Sequence, residues 1–276
     1  MTAQYVVVGV DGTLTAVRAL DWAAQEAVRR RAALRIVHAV PDRDEAGPVL
    51  VSAAARIRAH HPGLQVETAS PVGGAAEVLM RESDGAALTV LGNRGLGDFT
   101  GLLFGSVSLR LAAHIRSPLL VVRGDHRCDD GREVLLGLAS DADADAAAYA
   151  FQEAERRGAR LRVLYSSSHR HVTPEVPSPM PATSPGQREP AQRGAMEEAV
   201  PRFTLAALRE QHPQVGVETH TVPAGLAHAL LEATREAGVV VMGVHRHADR
   251  PGPHLGHVVH TLLHRSHCPV VLVPTG

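Results

Sequence analysis

The chain repeats itself, and this constrains its fold more than any single motif. Gln25-Glu26-Ala27 returns as Gln152-Glu153-Ala154, and Leu34-Arg35-Ile36 as Leu161-Arg162-Val163, both 127 residues later. Further on, His61-Pro62 returns as His212-Pro213 and Val66-Glu67-Thr68 as Val217-Glu218-Thr219, now 151 residues later. The second offset continues through Gly92/Gly243, Gly105/Gly256 and Pro118/Pro269. Two copies of one pattern mean two copies of one structural unit. The 24-residue change of offset places an insertion in the second copy, between Tyr165 and His212. Residues 169–194 have the proline-rich composition of a structureless loop. With the boundary set between Gly124 and Arg132, the domains are 1–126 and 127–276. Each is long enough to bury its own core.

Within the first copy, short apolar runs alternate with amphipathic ones. Tyr5 to Val10 reads as a buried strand, and Thr13 or Thr15 can cap the helix through Trp22 and Val28. Leu34 to Val40 is a second strand, Val49 to His60 a helix, and Leu64 to Ala69 a third strand. Gly74 to Arg81 is helical, Leu88 to Leu91 a strand, Leu102 to Ile115 a helix, and Leu119 to Arg123 a fifth strand. Strands alternating with helices of this length predict an α/β fold: two tandem doubly wound sheets of five parallel strands, with helices on both faces. Leu119-Leu120-Val121-Val122 and Val270-Val271-Leu272-Val273 are apolar last strands, so the two sheets are expected to pair through them.

The stretch Leu88 to Ser108 carries the chemistry. A strand stops at Gly92, a loop holds Gly95, and Gly105-Ser106 opens an amphipathic helix. Glycines let backbone approach a ligand closely, and a helix start offers unpaired N–H groups, which together suit phosphate. Arg94 adds a charge, and Ser106 and Ser108 add hydroxyls. Gly92, Gly95 and Gly97 are in the wrong order for a dinucleotide fingerprint. A Walker loop needs a lysine, whereas all 28 basic residues here are arginine.

The spacing Gly92-x-x-Gly95, nine residues, Gly105-Ser106 resembles the G-x-x-G-x9-G-[S/T] motif of ATP-binding members of the universal stress protein family. Tandem copies are a common arrangement there. The resemblance covers the chain apart from the insertion. It implies a sheet order of 3-2-1-4-5, which brings Asp11, after strand one, beside the loop after strand four. It further implies that Asp11 contacts the nucleoside and that the backbone at Val40, with Ala39 beside it, holds adenine. Gly92, Arg94, Gly95, Gly105, Ser106, Val107 and Ser108 would wrap the phosphates, with Mg2+ as an accompanying ion. Read as residues alone, Asp11 also fits a plain turn before Gly12, and Arg94 a solvated charge.

The second copy departs from this pattern, since Gly95 becomes Arg246, Ser106 becomes His257 and Ser108 becomes Val259. Asp11 falls opposite Leu138 or Ala139, with Asp141 near enough to substitute. His257, His260 and His264 share one helix face at i, i+3 and i+7, a low-odds metal set and otherwise a solvated face or anion site. With no acidic or cysteine partner to complete it, no metal site is expected.

No nucleophile elbow, paired acids or cysteine spacing marks a catalytic centre. The expectation is therefore an ATP-binding regulator of a stress response rather than an enzyme. A slow ATPase or nucleotide-transferring enzyme and a nucleotide-free scaffold are the alternatives. A net charge of −1 gives no pull toward nucleic acid or an anionic membrane. Only Cys128 and Cys268 are present, and no apolar run approaches the roughly 20 residues of a membrane span. A cytoplasmic location follows as an expectation, with an unidentified protein partner and a homodimer left open.

Overall fold

The computed structural model describes residues 5–40, 47–93, 106–123, 132–138, 141–166, 205–222, 225–245 and 255–275. The first half runs β1 (Tyr5–Gly9), α1 (Leu14–Arg30), β2 (Ala33–Val37), α2 (Gly47–His60), β3 (Val66–Ala69), α3 (Ala75–Glu82), β4 (Leu88–Gly92), α4 (Ser106–His114) and β5 (Leu119–Val122). The second runs β6 (Val134–Leu138), α5 (Ala144–Arg157), β7 (Leu161–Ser166), α6 (205–211), β8 (Val217–Val222), α7 (Leu226–Ala233), β9 (Val239–His245), α8 (His257–Arg265) and β10 (Val270–Thr275). Every element expected of the first copy is present, with its described ends displaced by at most three residues, the most at β2, which stops at Val37 rather than Val40. Helix α4 is described only from Ser106, because residues 94–105 lie outside the described residues. The insertion at 169–194 and the junction at 124–131 lie outside them too.

All ten strands join one sheet, in the order β3-β2-β1-β4-β5-β10-β9-β6-β7-β8. Each half reads 3-2-1-4-5, and pairing within each half is parallel. The halves meet antiparallel, with Val270 opposite Val121, Val271 opposite Leu120 and Leu272 opposite Leu119. All six of these residues are buried, which removes two apolar edges that would otherwise seek other partners. Apolar side chains form one layer on each face of the sheet, and both layers run across the two halves.

Helix α1 begins where Thr13, in an extended conformation, accepts a hydrogen bond from the Ala16 N–H at 3.3 Å. It ends at Arg31, which takes the left-handed conformation (φ 51°, ψ 41°) that Gly158 takes after α5 (φ 59°). A non-glycine residue there is strained by about 1–2 kcal/mol. Glycine loses more entropy on folding, so the net gain from Arg31→Gly is expected to be about 0.5–1 kcal/mol. Chemical denaturation would read it as a higher midpoint.

Where α1 crosses α5, four charged side chains close a buried ring. Arg30 pairs with Glu26 of its own helix and, at 2.7 Å, with Glu153 of the other half. Arg157 returns the arrangement, at 2.6 Å to Glu153 and 2.6 Å to Glu26. Each arginine also lies over an aromatic ring of the opposite half, Arg30 over Tyr149 and Arg157 over Trp22. The partners are related by the 127-residue offset, so the ring carries the pseudo-twofold symmetry of the duplication. Burial alone would raise the Glu153 carboxyl, but the guanidiniums of Arg30 and Arg157 outweigh it and hold it at about 2.

Candidate functional site

Strand order reverses between β1 and β4, where Val6, Val7 and Val8 lie opposite Leu88, Thr89 and Val90. The carboxyl ends of these strands open the crevice in which open α/β sheets take ligands. Asp11 leaves β1 there and is exposed. Its Oδ1 accepts from the Thr13 N–H at 3.1 Å and the Thr13 hydroxyl at 2.6 Å, across Gly12 at φ 80°. With its only hydroxyl proton given to Asp11, Thr13 Oγ1 accepts from the Thr15 hydroxyl at 3.0 Å. Asp11 therefore takes the turn geometry that its sequence context allowed, and it does so at the rim of the crevice.

On the β4 side, a Cβ added to Gly92 would lie 2.6 Å from the Thr15 carbonyl oxygen. Gly92 is thus required by the close approach of the first turn of α1 to the strand end. Helix α4 then points its first N–H groups, at Ser106, Val107 and Ser108, toward the same end of the sheet. Val107 is half-buried and Ser108 is buried. Arg94, Gly95 and Gly105 lie outside the described residues, as does the side chain of Ser106.

Val40 is buried and forms an isolated parallel bridge with Val72. Its N–H donates to Pro71 O at 3.4 Å, and its C=O accepts from the Gly73 N–H at 3.2 Å. Its backbone is thus largely committed within the protein. The neighbouring Ala39 is half-buried, and its N–H and C=O meet no backbone partner among the described residues. Of this pair, Ala39 is the one whose backbone the described residues leave open.

The corresponding crevice of the second half is built differently. A Cβ on Gly243 would lie 2.2 Å from Oδ1 of Asp143, the buried residue that precedes α5. The same carboxylate meets His245 Nε2 at 2.9 Å, and His245 Nδ1 meets the Thr275 hydroxyl at 2.7 Å. An anionic group anchored at the strand end opposes a phosphate there. Sequence reading pointed to Asp141 and missed Asp143. No local signal marked it, since an aspartate at a helix start reads as a cap, whereas this side chain makes no capping bond. On α8, the rings of His260 and His264 stand 4.2 Å apart. Burial, then His260 and Arg123, lower the His264 imidazole to about 4. Among the described residues no three His, Cys, Asp or Glu side chains converge as metal ligands, so His257, His260 and His264 do not form a set. No described helix is long and apolar enough to cross a membrane.

Asp11, Ala39 and the start of α4 thus lie at the carboxyl end of the first half's sheet, as a rim carboxylate, a backbone edge with no backbone partner among the described residues, and the first N–H groups of a helix. The family model "Universal stress protein family" matches residues 3–123 and again 131–274. A universal stress protein of Mycolicibacterium smegmatis is 30% identical over 97% of this chain and 96% of its own length. A universal stress protein of Archaeoglobus fulgidus superposes with a TM-score of 0.65 over all of both chains at 16% identity, a likeness of fold. A universal stress protein solved in complex with cAMP is 29% identical and covers 45% of this chain and all of its own, with a TM-score of 0.38.

Proposed function

The chain belongs to the universal stress protein family, and on that premise we propose that its first half binds one ATP while its second half binds none. The observation that carries this reading is the contrast between the two crevices. In the first, the end of β4 leads through the Gly92-x-x-Gly95 sequence to the first N–H groups of α4. In the second, the Asp143 carboxylate lies against Gly243, and Arg246 stands where the loop had glycine.

Bound at the first site, ATP would rest its base near Ala39 and Val40, its ribose near Asp11, and its phosphates at Gly92, Arg94, Gly95, Gly105, Ser106, Val107 and Ser108. Mg2+ would offset phosphate charge. The chain's own contribution would be backbone donors at the start of α4, which suit retention of the nucleotide rather than its turnover. Its role is that of a cytoplasmic regulator that presents a nucleotide-dependent surface to a protein partner during stress. Calorimetric titration of the whole chain with MgATP is expected to saturate near one equivalent. Two equivalents of similar affinity, or no binding at all, would end this reading.

A further inference from the structure

The end of β4 is fastened to the other half of the molecule. Asn93 follows Gly92 directly and is only 5% exposed. Its backbone N–H donates to Val122 O at 2.8 Å, and its Nδ2 donates to Leu263 O, in α8, at 3.2 Å. Arg123, the residue after β5, donates Nη1 to the same Leu263 oxygen. That oxygen has no helical partner, because the N–H of His267, four residues on, donates instead to Thr234 Oγ1 at 3.1 Å. The last carbonyls of a helix lack intrahelical donors and carry its negative dipole end, which favours a cationic donor. Two first-half side chains therefore cap a second-half helix, beside the strand end from which the glycine loop departs.

The arrangement runs one way only. At the 151-residue offset, Asn93 becomes Val244, Arg123 becomes Pro274 and Leu263 corresponds to Ala112. Valine and proline side chains carry no donor, so the second half cannot return the contact. The half that keeps the full glycine motif is the half that holds the clasp.

We propose that Asn93 and Arg123 are positioning residues for the nucleotide site, holding the end of β4, from which the glycine loop departs, against α8 of the second half. The proposal rests on the reading that the first half binds ATP. It gives the degenerate copy a function: α8 supports the end of β4 and, by reciprocity, responds when the site is filled.

The test uses the whole chain and MgATP. Asn93→Val and Arg123→Leu are each expected to weaken binding at least about fivefold. Arg123→Lys, which can still donate to Leu263 O, should recover most of the loss. The reverse change, Val244→Asn, should leave affinity unaltered. Hydrogen exchange separates positioning from mere support: ATP should slow exchange across 257–265 in the natural chain and fail to do so in folded Asn93→Val. Should the natural chain bind ATP while both folded variants bind it equally well, or should α8 be indifferent to ATP in the natural chain, the positioning role is refuted and the nucleotide reading stands. Absence of ATP binding by the natural chain would overturn both.

Discussion

Glu153→Ala is expected to cost about 3–5 kcal/mol of unfolding free energy, the loss typical of a buried ion pair deprived of one partner. The carboxylate is buried between Arg30 and Arg157, each of which also pairs with Glu26. Removing it leaves Arg30 and Arg157, together with Arg29 at 2.6 Å, facing the single acid Glu26 in a buried site. Because the ring spans both halves, the loss should loosen the packing of α1 on α5 as well as lower the denaturation midpoint. The same group sets a pH dependence. Its folded pKa of about 2 lies below the ordinary value of 4.5, so its contribution is full above that value. It is lost as pH falls from about 4.5 toward about 2. Denaturation of natural and Glu153→Ala chains should differ at pH 7 and converge in that acid window. A difference under about 1 kcal/mol at pH 7 would show that the ring holds nothing together.

Gly105→Asp is expected to weaken ATP binding by about 100-fold or more. The substitution sets a negative side chain beside Ser106, where α4 begins and where the proposed site would receive phosphate oxygens. Losing two charge-assisted hydrogen bonds, at about 1.5–3 kcal/mol each, accounts for that factor before repulsion is counted. Calorimetry on a variant with unchanged melting checks the effect, and retained affinity would remove the phosphates from this helix start. Gly105→Asp is expected to act on binding and Glu153→Ala on stability, so one measurement on each distinguishes the proposed nucleotide site from the interdomain seam.

Much of this protein follows from local sequence. Buried strands such as Tyr5–Gly9 and amphipathic helices such as α1 declare themselves through periodicity, because side-chain direction repeats every two residues in a strand and every 3.6 in a helix. The duplication, the cap at Thr13, the apolar last strands and the spacing of Gly92, Gly95 and Gly105 are likewise written within short windows. These suffice for the α/β class and for the pairing of β5 with β10, whereas the strand order, and with it the crevice between β1 and β4, came from the family resemblance that the glycine spacing carries.

Partners distant in the chain were decided by the tertiary structure alone. Glu26 and Arg30 read locally as an ordinary i,i+4 pair on a helix surface, and only the docking of α5 buries them and adds Arg157 and Glu153. Asn93 reads as a loop residue, yet its acceptor lies 170 residues away. Asp143 reads as a helix cap, and its side chain turns instead to Gly243 and His245. Val40 reads as a strand end, and its backbone is taken up by Pro71 and Gly73. Periodicity tells a residue which face it occupies, but the partner across that face is set by how whole layers pack. A polar side chain in that interface must then find a donor or acceptor wherever the packing has left one, and at Leu263 it was the uncapped end of a helix in the other half.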